Sequence, residues 1–249
     1  MIHVWGMTDI GLVRNENQDT YMVSENEATG HVVAVVCDGM GGAEGGQLAS
    51  QLAAKTFVDA CAANLHKGLS LHQVRQVAEF AISEANRTVY EESQKKPELR
   101  GMGTTLVSAI IDEGQALVCN IGDSRAYLVH PRAGEDSISH ISRDHSLVQR
   151  MVEKGDITPE EARSHPSRNL ITRALGPEPN TLSDSYEVKL DSGDAILLCT
   201  DGLIETVTDQ EMAREIQYGA DNTCMDRLLD IAKSRGAADN VTAVLLRQV

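Results

Sequence analysis

The chain has 249 residues, of which 41% are hydrophobic and 24% charged, and its formal net charge is −15. These figures favour one domain with a sizeable core, although two small domains stay open. Because only 3% of the residues are aromatic, the core is expected to consist of Val, Leu, Ile and Ala. The acidic balance and the lack of a Lys/Arg cluster argue against nucleic acid or an anionic membrane as a partner.

The amino terminus and the cysteines bear on the compartment. Residues 1–6 lack the basic flank and apolar run of a signal peptide, and no stretch is long enough to span a membrane. We therefore expect a cytoplasmic chain unless a membrane partner recruits it. The five cysteines form no Cys-x-x-Cys pair, and three of them lie in apolar runs. They are expected to be reduced and structural.

The amino-terminal third predicts two strands followed by two helices. Residues 32–37 form a continuous apolar run, which is typical of a buried strand. Apolar side chains then recur at helical spacing over residues 48–60 and 71–89, and Ser70 with Gln73 has the pattern of a capping box. Two adjacent amphipathic helices must bury their apolar sides, most simply as an antiparallel pair on a sheet.

The middle of the chain predicts successive strands followed by a polar excursion. The strands are expected at residues 104–111, 116–121, 126–130 and 137–142. Their short connections favour antiparallel pairing, and residues 122–125 suit a plain hairpin turn. From about residue 143 to 184 the pattern is polar and irregular, with one short helix opened by Thr158, Pro159 and Glu161. Long excursions of this kind are often binding lids.

The last part returns to strands at residues 186–190 and 195–199, then predicts two helices, near Thr208 and at Asn222, and a final strand at 241–246. Helix pairs near both ends with strands between them fit an α+β fold. The expected architecture is a four-layer α/β/β/α sandwich, in which antiparallel helix pairs flank two antiparallel sheets. We expect one domain over residues 1–249, with a flap subdomain at about 143–184.

Four aspartates stand where an apolar run meets a polar turn, and they are the main candidates for a functional site: Asp38, Asp123, Asp201 and Asp239. An isolated Asp-Gly pair is more often a turn than a metal site. However, Asp38 and Asp201 lead into helical patterns rather than into returning strands. Carboxylates gathered at the edge of a core repel each other and lose hydration unless a cation compensates. Oxygen ligands, without His or Cys at metal spacing, favour Mg²⁺ or Mn²⁺ over Zn²⁺.

A metal site of this kind suits phosphoryl chemistry. Two metals about 4 Å apart can activate a hydroxide for in-line attack on a phosphoryl group, and a fixed guanidinium can hold the phosphate oxygens. Arg14 is the candidate, although a lone Arg in a polar loop is usually just solvated. The Gly-rich run after Asp38 lacks the Gly-Lys-Ser/Thr of a P-loop and is no dinucleotide fingerprint. Its glycines are expected to let the backbone approach the metals.

The surroundings of Arg14 and of the aspartates contain motifs in the order of a known family. They are Thr8-Asp9-x-Gly11-x-x-Arg14 with Asn17-Gln18-Asp19, Cys37-Asp38-Gly39-Met40-Gly41-Gly42, Met102-Gly103-Thr104-Thr105-Leu106, Ile121-Gly122-Asp123-Ser124-Arg125-Ala126-Tyr127, Thr200-Asp201-Gly202-Leu203 and Asp239-Asn240-Val241-Thr242. Across essentially the whole chain they resemble the metal-dependent protein serine/threonine phosphatases of type 2C, the PPM family. Residues 144–148, 157–162 and 165–176 resemble the flap of its compact bacterial branch.

The resemblance implies a β-sandwich flanked by helix pairs, with two Mn²⁺ or Mg²⁺ ions in a cleft at one end. It implies that Asp38 bridges the two metals and that the carbonyl of Gly39 joins it. Asp201 and Asp239 would complete the shell of the first metal. In the bacterial branch, Asp123 with Asp201 would hold a third, weaker metal.

The resemblance also assigns roles around the metals. Arg14 would grip the substrate phosphate, Asp19 would order metal-bound water, and Asn240 would lie beside the site. Gln18 stands where many relatives carry Glu, so the metal affinity is expected to be lower, without inactivity being inferred. Met40 stands where eukaryotic relatives place a His proposed as general acid. Because methionine cannot donate a proton, leaving-group protonation must come from water or elsewhere.

The implied function is a phosphatase that removes phosphate from phosphoserine and phosphothreonine in proteins by direct attack of a metal-bridging hydroxide. A bacterial Ser/Thr kinase would be its functional counterpart, and a monomer is expected. Three alternatives stay open: a regulatory phosphatase dedicated to one phosphoprotein in a partner-switching pathway, a non-catalytic phosphoprotein-binding module, and a structural metal protein. The retained aspartates disfavour the binding module, and Arg14 and the flap would have no purpose in the structural protein.

Overall fold

The computed structural model of the protein describes residues 1–26, 28–42, 45–130, 137–219 and 223–249. Within these ranges the strands are β1 (Ile2–Asp9), β2 (Asp19–Glu25), β3 (Val32–Met40), β4 (Gly103–Thr104), β5 (Leu106–Asp112), β6 (Gln115–Ile121), β7 (Arg125–Val129), β8 (Ile138–His140), β9 (Asp184–Lys189), β10 (Ala195–Cys199) and β11 (Val241–Gln248). The helices are α1 (Gly45–Asn64), α2 (Leu71–Ser93), α3 (Leu147–Lys154), α4 (Pro159–Ser164), α5 (Asp201–Ile204), α6 (Asp209–Tyr218) and α7 (Cys224–Ser234).

The strands form two antiparallel sheets. One has the order β1-β11-β10-β7-β8, and the other has the order β2-β3-β5-β6-β9, with β4 paired to β3. The antiparallel pairing predicted for the successive strands in the middle of the chain is confirmed for β5 and β6, and for β7 and β8. The long-range partners β1 and β11 join the two ends of the chain in the first sheet.

Three apolar interfaces hold these layers together. Successive side chains of a strand point to opposite faces, so β3 contributes to two interfaces at once. Its Val33 and Val35 pack against α1 and α2, whereas Ala34 and Val36 pack against the other sheet. A third cluster holds that other sheet against α5, α6 and α7. The predicted four-layer α/β/β/α sandwich is therefore confirmed.

The core has the composition that the sequence indicates. It consists mainly of Val, Leu, Ile and Ala side chains, with few large aromatic groups. All five cysteines are buried, and no disulfide joins any of them within the described residues, as expected for structural residues. In the parts of the chain that the structure describes, no helix combines the length and the apolar character that crossing a bilayer requires.

The prediction of a hairpin at residues 122–125 is wrong. β6 pairs with β5 and β9 in one sheet, whereas β7 pairs with β10 and β8 in the other. The segment therefore carries the chain from one sheet to the other, and Gly122 adopts the positive φ of +103° in this crossing. The crossing places Asp123 at the end of the sandwich rather than at the tip of a turn.

Other boundaries also differ from expectation in the two regions that carry the candidate aspartates. β3 continues past Asp38 to Met40, because Gly39 and Met40 pair with β4. Asp201 begins the short helix α5 instead of ending a strand. The amino-terminal third has three strands, not two, before its helices, since β1 and β2 both precede β3.

Two predicted features lie outside the described residues. The helix start assigned to Asn222 is one of them; α7 is described from Cys224, with Thr223 as its N-cap. Ala43 and Glu44 in the Gly-rich run are the other. The described start of α1 at Gly45 agrees with a helix that follows this run.

The excursion at residues 143–184 contains two short helices rather than one. The capping box of Thr158 and Glu161 at the start of α4 is confirmed. The preceding helix α3 has Ser146 as its N-cap and buries only Val148. Leu147, Val148, Met151 and Val152 do recur at helical spacing, but eight residues are too short a segment for this period to stand out in a polar region.

Asn86 of α2 fastens the end of this excursion to the body of the protein. Its Nδ2 donates to the carbonyls of Glu178 and Pro179 at 3.1 and 3.0 Å. Its Oδ1 accepts the N–H of Gly176 at 2.9 Å. Asn86 is only 2% exposed, so water cannot easily replace these three contacts.

Replacing Asn86 by Ala should therefore loosen the excursion. We expect Asn86→Ala to lower the free energy of unfolding by about 1–3 kcal/mol, since it leaves buried backbone groups unpaired, and to make residues 165–183 easier to cleave. Urea unfolding and limited proteolysis measure the two effects. The matched control is Asn64→Ala, because the Asn64 side chain is exposed and bonds only within its own helix. Equal behaviour of the two variants would contradict this account.

Candidate metal centre

Asp19 and Asp38 meet across two neighbouring strands. Asp19 opens β2 and lies directly opposite Asp38 of β3 in the antiparallel register. Asp19 is 7% exposed, and its Oδ2 accepts a hydrogen bond from Thr200 Oγ1 at 2.9 Å. The backbone of Asp38 is held on both sides: its N–H donates to Thr105 Oγ1 at 2.9 Å, and its carbonyl accepts from Thr104 Oγ1 at 2.8 Å. Neighbouring hydroxyls thus hold the carboxylate of Asp19 and the backbone of Asp38.

Asp201 and Asp239 approach each other at the same end of the other sheet. β10 runs into Asp201, and its antiparallel partner β11 starts just after Asp239. Gly202 permits this approach, because a Cβ at that position would lie 2.0 Å from the carbonyl oxygen of Asn240. Any other residue there would push the two segments apart. Both carboxylates are half-buried.

Asn240 connects Asp239 to the loop that carries Arg14. Its Nδ2 donates to the carbonyls of Ile10 and Glu16 at 2.9 and 3.0 Å. Its Oδ1 accepts the N–H of Gln18 at 2.8 Å. A single buried amide therefore closes the β1–β2 loop at three points. The sequence placed Asn240 beside the site but did not indicate this role.

Arg14 is drawn towards the carboxylates by Asp239. Its Nη2 donates to Asp239 Oδ2 at 2.6 Å, and its side chain is 54% exposed. The hydrogen bond and the charge of Asp239 raise the pKa of Arg14 further above its ordinary value. This contact uses one of the five N–H donors of a guanidinium, so donors remain for an anion.

Asp123 joins the group from the sheet-to-sheet crossing. The N–H of the preceding Gly122 donates to His145 Nδ1 at 3.1 Å. The hydroxyls of the following Ser124 and of Thr105 are 2.7 Å apart. The turn is thereby attached both to the excursion and to the strand segment beside Asp38.

Burial and mutual repulsion make it costly for these carboxyls to ionise together. Burial, with repulsion from Asp201 and Asp239, raises the pKa of Asp19 to about 7. Burial and the charge of Asp201 raise the pKa of Asp123 to about 8. Burial and the charge of Asp239 raise the pKa of Asp201 to about 6. The pKa of Asp38 is raised well above its ordinary value, first by burial and then by its acidic neighbours.

This donor set fits a hard divalent cation by its chemistry. It offers carboxylate oxygens only, and Oδ1 of Asp201 is buried without a hydrogen-bond partner among the described residues. Over the same residues, no three acidic, His or Cys side chains are already arranged so that they could hold an ion. The oxygens would therefore have to converge by side-chain adjustment, with Asp239 turned at present towards Arg14.

The remaining predicted residues lie in the same place. Gln18 donates from Nε2 to the carbonyl of Gly42 at 3.3 Å, and the N–H of Gly39 donates to the carbonyl of Gln18 at 3.1 Å. The threonine hydroxyls that support Asp19 and Asp38 were not predicted. The one available signal was a polar residue in or beside an apolar strand, as at Thr200 and Thr242, both fully buried.

The raised pKa values predict how stability depends on pH when no cation is bound. Each carboxyl binds its proton more tightly in the folded chain than in the unfolded chain, where its pKa is about 3.9. The contribution of these carboxyls to the free energy of unfolding should therefore be largest in acid and should fall as the pH rises through about 6 to about 8. Thermal unfolding in EDTA from pH 5 to pH 8 measures this fall.

Replacing one of the carboxyls by a neutral amide should reduce that fall. We expect Asp123→Asn to raise the melting temperature in EDTA at pH 8 by at least about 3 °C, which corresponds to about 1 kcal/mol in a chain of this size. The gain should be smaller at pH 5, where Asp123 is protonated. Asp226→Asn, at an exposed position of α7, is the control. A lower melting temperature for Asp123→Asn at pH 8 would exclude repulsion as the cause.

Comparison with known proteins gives a consistent set of similarities. The profile of the family described as Protein phosphatase 2C matches residues 13–245. The serine/threonine phosphatase Stp of Listeria innocua is 34% identical over 248 residues, which are 99% of this chain and 96% of that protein. The crystal structure of the serine/threonine phosphatase Stp1 from Staphylococcus aureus superimposes with a TM-score of 0.90 at 34% identity, covering 100% of this chain and 96% of the other. The catalytic domain of the phosphatase PstP, in complex with two manganese ions, superimposes with a TM-score of 0.81 at 32% identity, covering 99% and 97%.

Proposed function

The chain belongs to the protein phosphatase 2C family, and we propose that its carboxylate cleft is where this metal-dependent protein phosphatase hydrolyses phosphoserine and phosphothreonine. One observation carries the assignment of the cleft. The guanidinium of Arg14 lies at the edge of a cluster of buried carboxylates. Its Nη2 is 2.6 Å from Asp239 Oδ2, and its other N–H groups remain available to an anion. Binding and hydrolysis of a phosphate ester require a guanidinium that binds the phosphate oxygens. They also require cations, which a cluster of carboxylates can hold.

We assign the cations to the residues that the family pattern indicates. Asp38 and the carbonyl of Gly39 would hold two of them. Asp201 and Asp239 would complete the coordination shell of the first of these two cations. Asp123 with Asp201 would hold a third and weaker one. Mn²⁺ is the first cation to test, since the similar PstP domain is described with two manganese ions. When bound, such cations neutralise the carboxylates, polarise the phosphoryl group and lower the pKa of water, so that hydroxide is available for the attack at neutral pH.

The protein's own groups supply orientation and proton handling. Arg14 would bind two phosphate oxygens and align the phosphorus for in-line attack. Thr200 fixes the carboxylate of Asp19 through Oδ2, so Asp19 can hold the attacking water in one orientation. Met40, at the end of β3, has no proton to give. The leaving alkoxide must therefore take its proton from water or from another group of the site.

No thiol competes for the role of nucleophile. Cys37 precedes Asp38 directly, yet burial raises its pKa far above the ordinary value of a thiol. Cys199, two residues before Asp201, has its pKa raised by burial as well. Because the thiolate is the reactive form, both stay inert near neutral pH. A phosphorylated cysteine at either position is therefore disfavoured, in agreement with the proposed direct attack by water.

The excursion at residues 143–184 suits the role of a flap at the rim of this cleft. Arg168 Nε donates to Glu205 Oε1 at 3.0 Å. Glu205 follows α5, the helix that begins at Asp201, so the flap is tied to the segment that carries a proposed metal ligand. We propose that the flap contributes to substrate choice and that substrates come from a Ser/Thr kinase.

Asp201→Asn tests the metal assignment. We expect it to reduce Mn²⁺-dependent hydrolysis of p-nitrophenyl phosphate and of a phosphothreonine peptide by at least about 100-fold, because several kcal/mol of charge stabilisation depend on bound metal. Mn²⁺ affinity, measured by calorimetry, should fall as well. Asp230→Asn, exposed on α7, is the matched control. Full activity and unchanged Mn²⁺ affinity in Asp201→Asn would contradict the assignment.

Arg14→Lys tests the phosphate assignment separately. A lysine keeps the charge but loses the planar pair of donors, so we expect kcat/KM for the phosphopeptide to fall by about 10- to 100-fold. Mn²⁺ affinity should change by less than about threefold, since Arg14 is not a proposed ligand. Arg214→Lys, at an exposed surface pair with Glu215, should match the wild type. If Arg14→Lys hydrolyses the peptide at the wild-type rate, Arg14 does not bind the phosphate.

A further inference from the structure

Two exposed aliphatic side chains directly precede Arg14. Leu12 is 60% exposed and Val13 is 66% exposed, and Ile10 in the same loop is 38% exposed. Aliphatic side chains that stand together in water mark interaction surfaces more often than scattered ones do. Their position matters more than their number, since they lie one and two residues from the proposed phosphate ligand.

The exposure of these side chains does not result from a loosely held loop. The N–H of Leu12 donates to the carbonyl of Ala237 at 2.9 Å, and the N–H of Gly11 donates to Asp9 Oδ1 at 2.9 Å. Gly11 has φ +78°, and a Cβ there would lie 2.2 Å from the carbonyl oxygen of Asp239. The backbone therefore lies tightly against the segment at residues 237–239. This anchoring holds Leu12 and Val13 on the outside.

We propose that Leu12 and Val13 form an aliphatic ridge that selects phosphoproteins with an aliphatic side chain within two residues of the phosphorylated Ser or Thr. The inference rests on the proposed function, in which Arg14 binds the phosphate. Successive Cα atoms are about 3.8 Å apart, and an extended peptide advances about 3.3–3.6 Å per residue. A substrate whose phosphate is held at Arg14 thus carries its neighbouring side chains over the same span as the ridge.

The chemistry of the surroundings favours an aliphatic neighbour over an acidic one. Glu16 is exposed in the same loop, and the chain as a whole has a net charge of −15. Acidic side chains beside the phosphate would be repelled by these groups. An aliphatic side chain removes apolar surface of Leu12 and Val13 from water and meets no such repulsion.

The test compares two phosphothreonine peptides of equal length and charge. One carries Leu at the two positions on each side of the phosphothreonine, and the other carries Ser at these four positions. We expect the wild type to hydrolyse the Leu peptide with a kcat/KM about tenfold higher, the lower end of what one well-covered apolar contact contributes to discrimination. Peptides with a single Leu then show which side of the phosphothreonine lies on the ridge.

The matched variant keeps size and removes apolar character: Leu12→Asn with Val13→Thr. We expect the ratio of the two kcat/KM values to fall below about threefold in this double variant, because the ratio cancels any general loss of activity. Phe80→Gln removes an equally exposed apolar side chain on α2, 49% exposed, and should keep the wild-type ratio.

The outcomes separate this inference from the function on which it rests. Equal kcat/KM for both peptides in the wild type would overturn the ridge while confirming a phosphatase. A tenfold ratio that persists in the double variant would also overturn it. If the wild type with Mn²⁺ hydrolyses neither peptide, the proposed function fails and the inference fails with it. The wild-type comparison needs no variant, so misfolding cannot hide the answer.

Discussion

Repulsion among carboxylates at one end of the sandwich is the constraint on which the rest of the structure depends. Asp19, Asp38, Asp123 and Asp201 all have pKa values raised first by burial and then by neighbouring carboxylates. Without a cation this arrangement opposes folding near neutral pH. The apolar interfaces above and below the two sheets must hold the strand ends together against it. The carboxylate cluster, where the reaction is expected to take place, thus lowers the free energy of unfolding, which is a common compromise in enzymes.

The same constraint explains why the Arg14 loop is held so firmly. Asp239 contacts Arg14, and its neighbour Asn240 closes the loop with three hydrogen bonds. The loop places Arg14 at the edge of the carboxylate cluster, where its side chain is half-exposed and a phosphate can reach its other donors. Phosphate binding and metal binding therefore share one structural support.

Local features of this fold could be predicted from the sequence, whereas its long-range partners could not. The capping boxes at Ser70, Thr158 and Thr208 were readable because each depends on residues three apart. The sheet crossing at residues 122–125 was not, because β6 and β7 are apolar on both faces and such strands do not reveal which sheet they join. The aspartates could be named from their positions after apolar runs. The hydroxyls of Thr104, Thr105 and Thr200 that hold them depend on tertiary contacts between distant segments.

The flap and the proposed third metal position cannot be independent of each other. Burial lowers the pKa of His145, so its ring is neutral near pH 7 and carries one proton. Nδ1 accepts the N–H of Gly122, and Nε2 lies 3.2 Å from Asp184 Oδ2 and 3.1 Å from Arg173 Nη1. One imidazole therefore links the start of β9, at the end of the flap, to the turn that carries Asp123. A movement of the flap must therefore either break one of these bonds or shift the turn that carries Asp123, the residue that we propose as a ligand of the third cation.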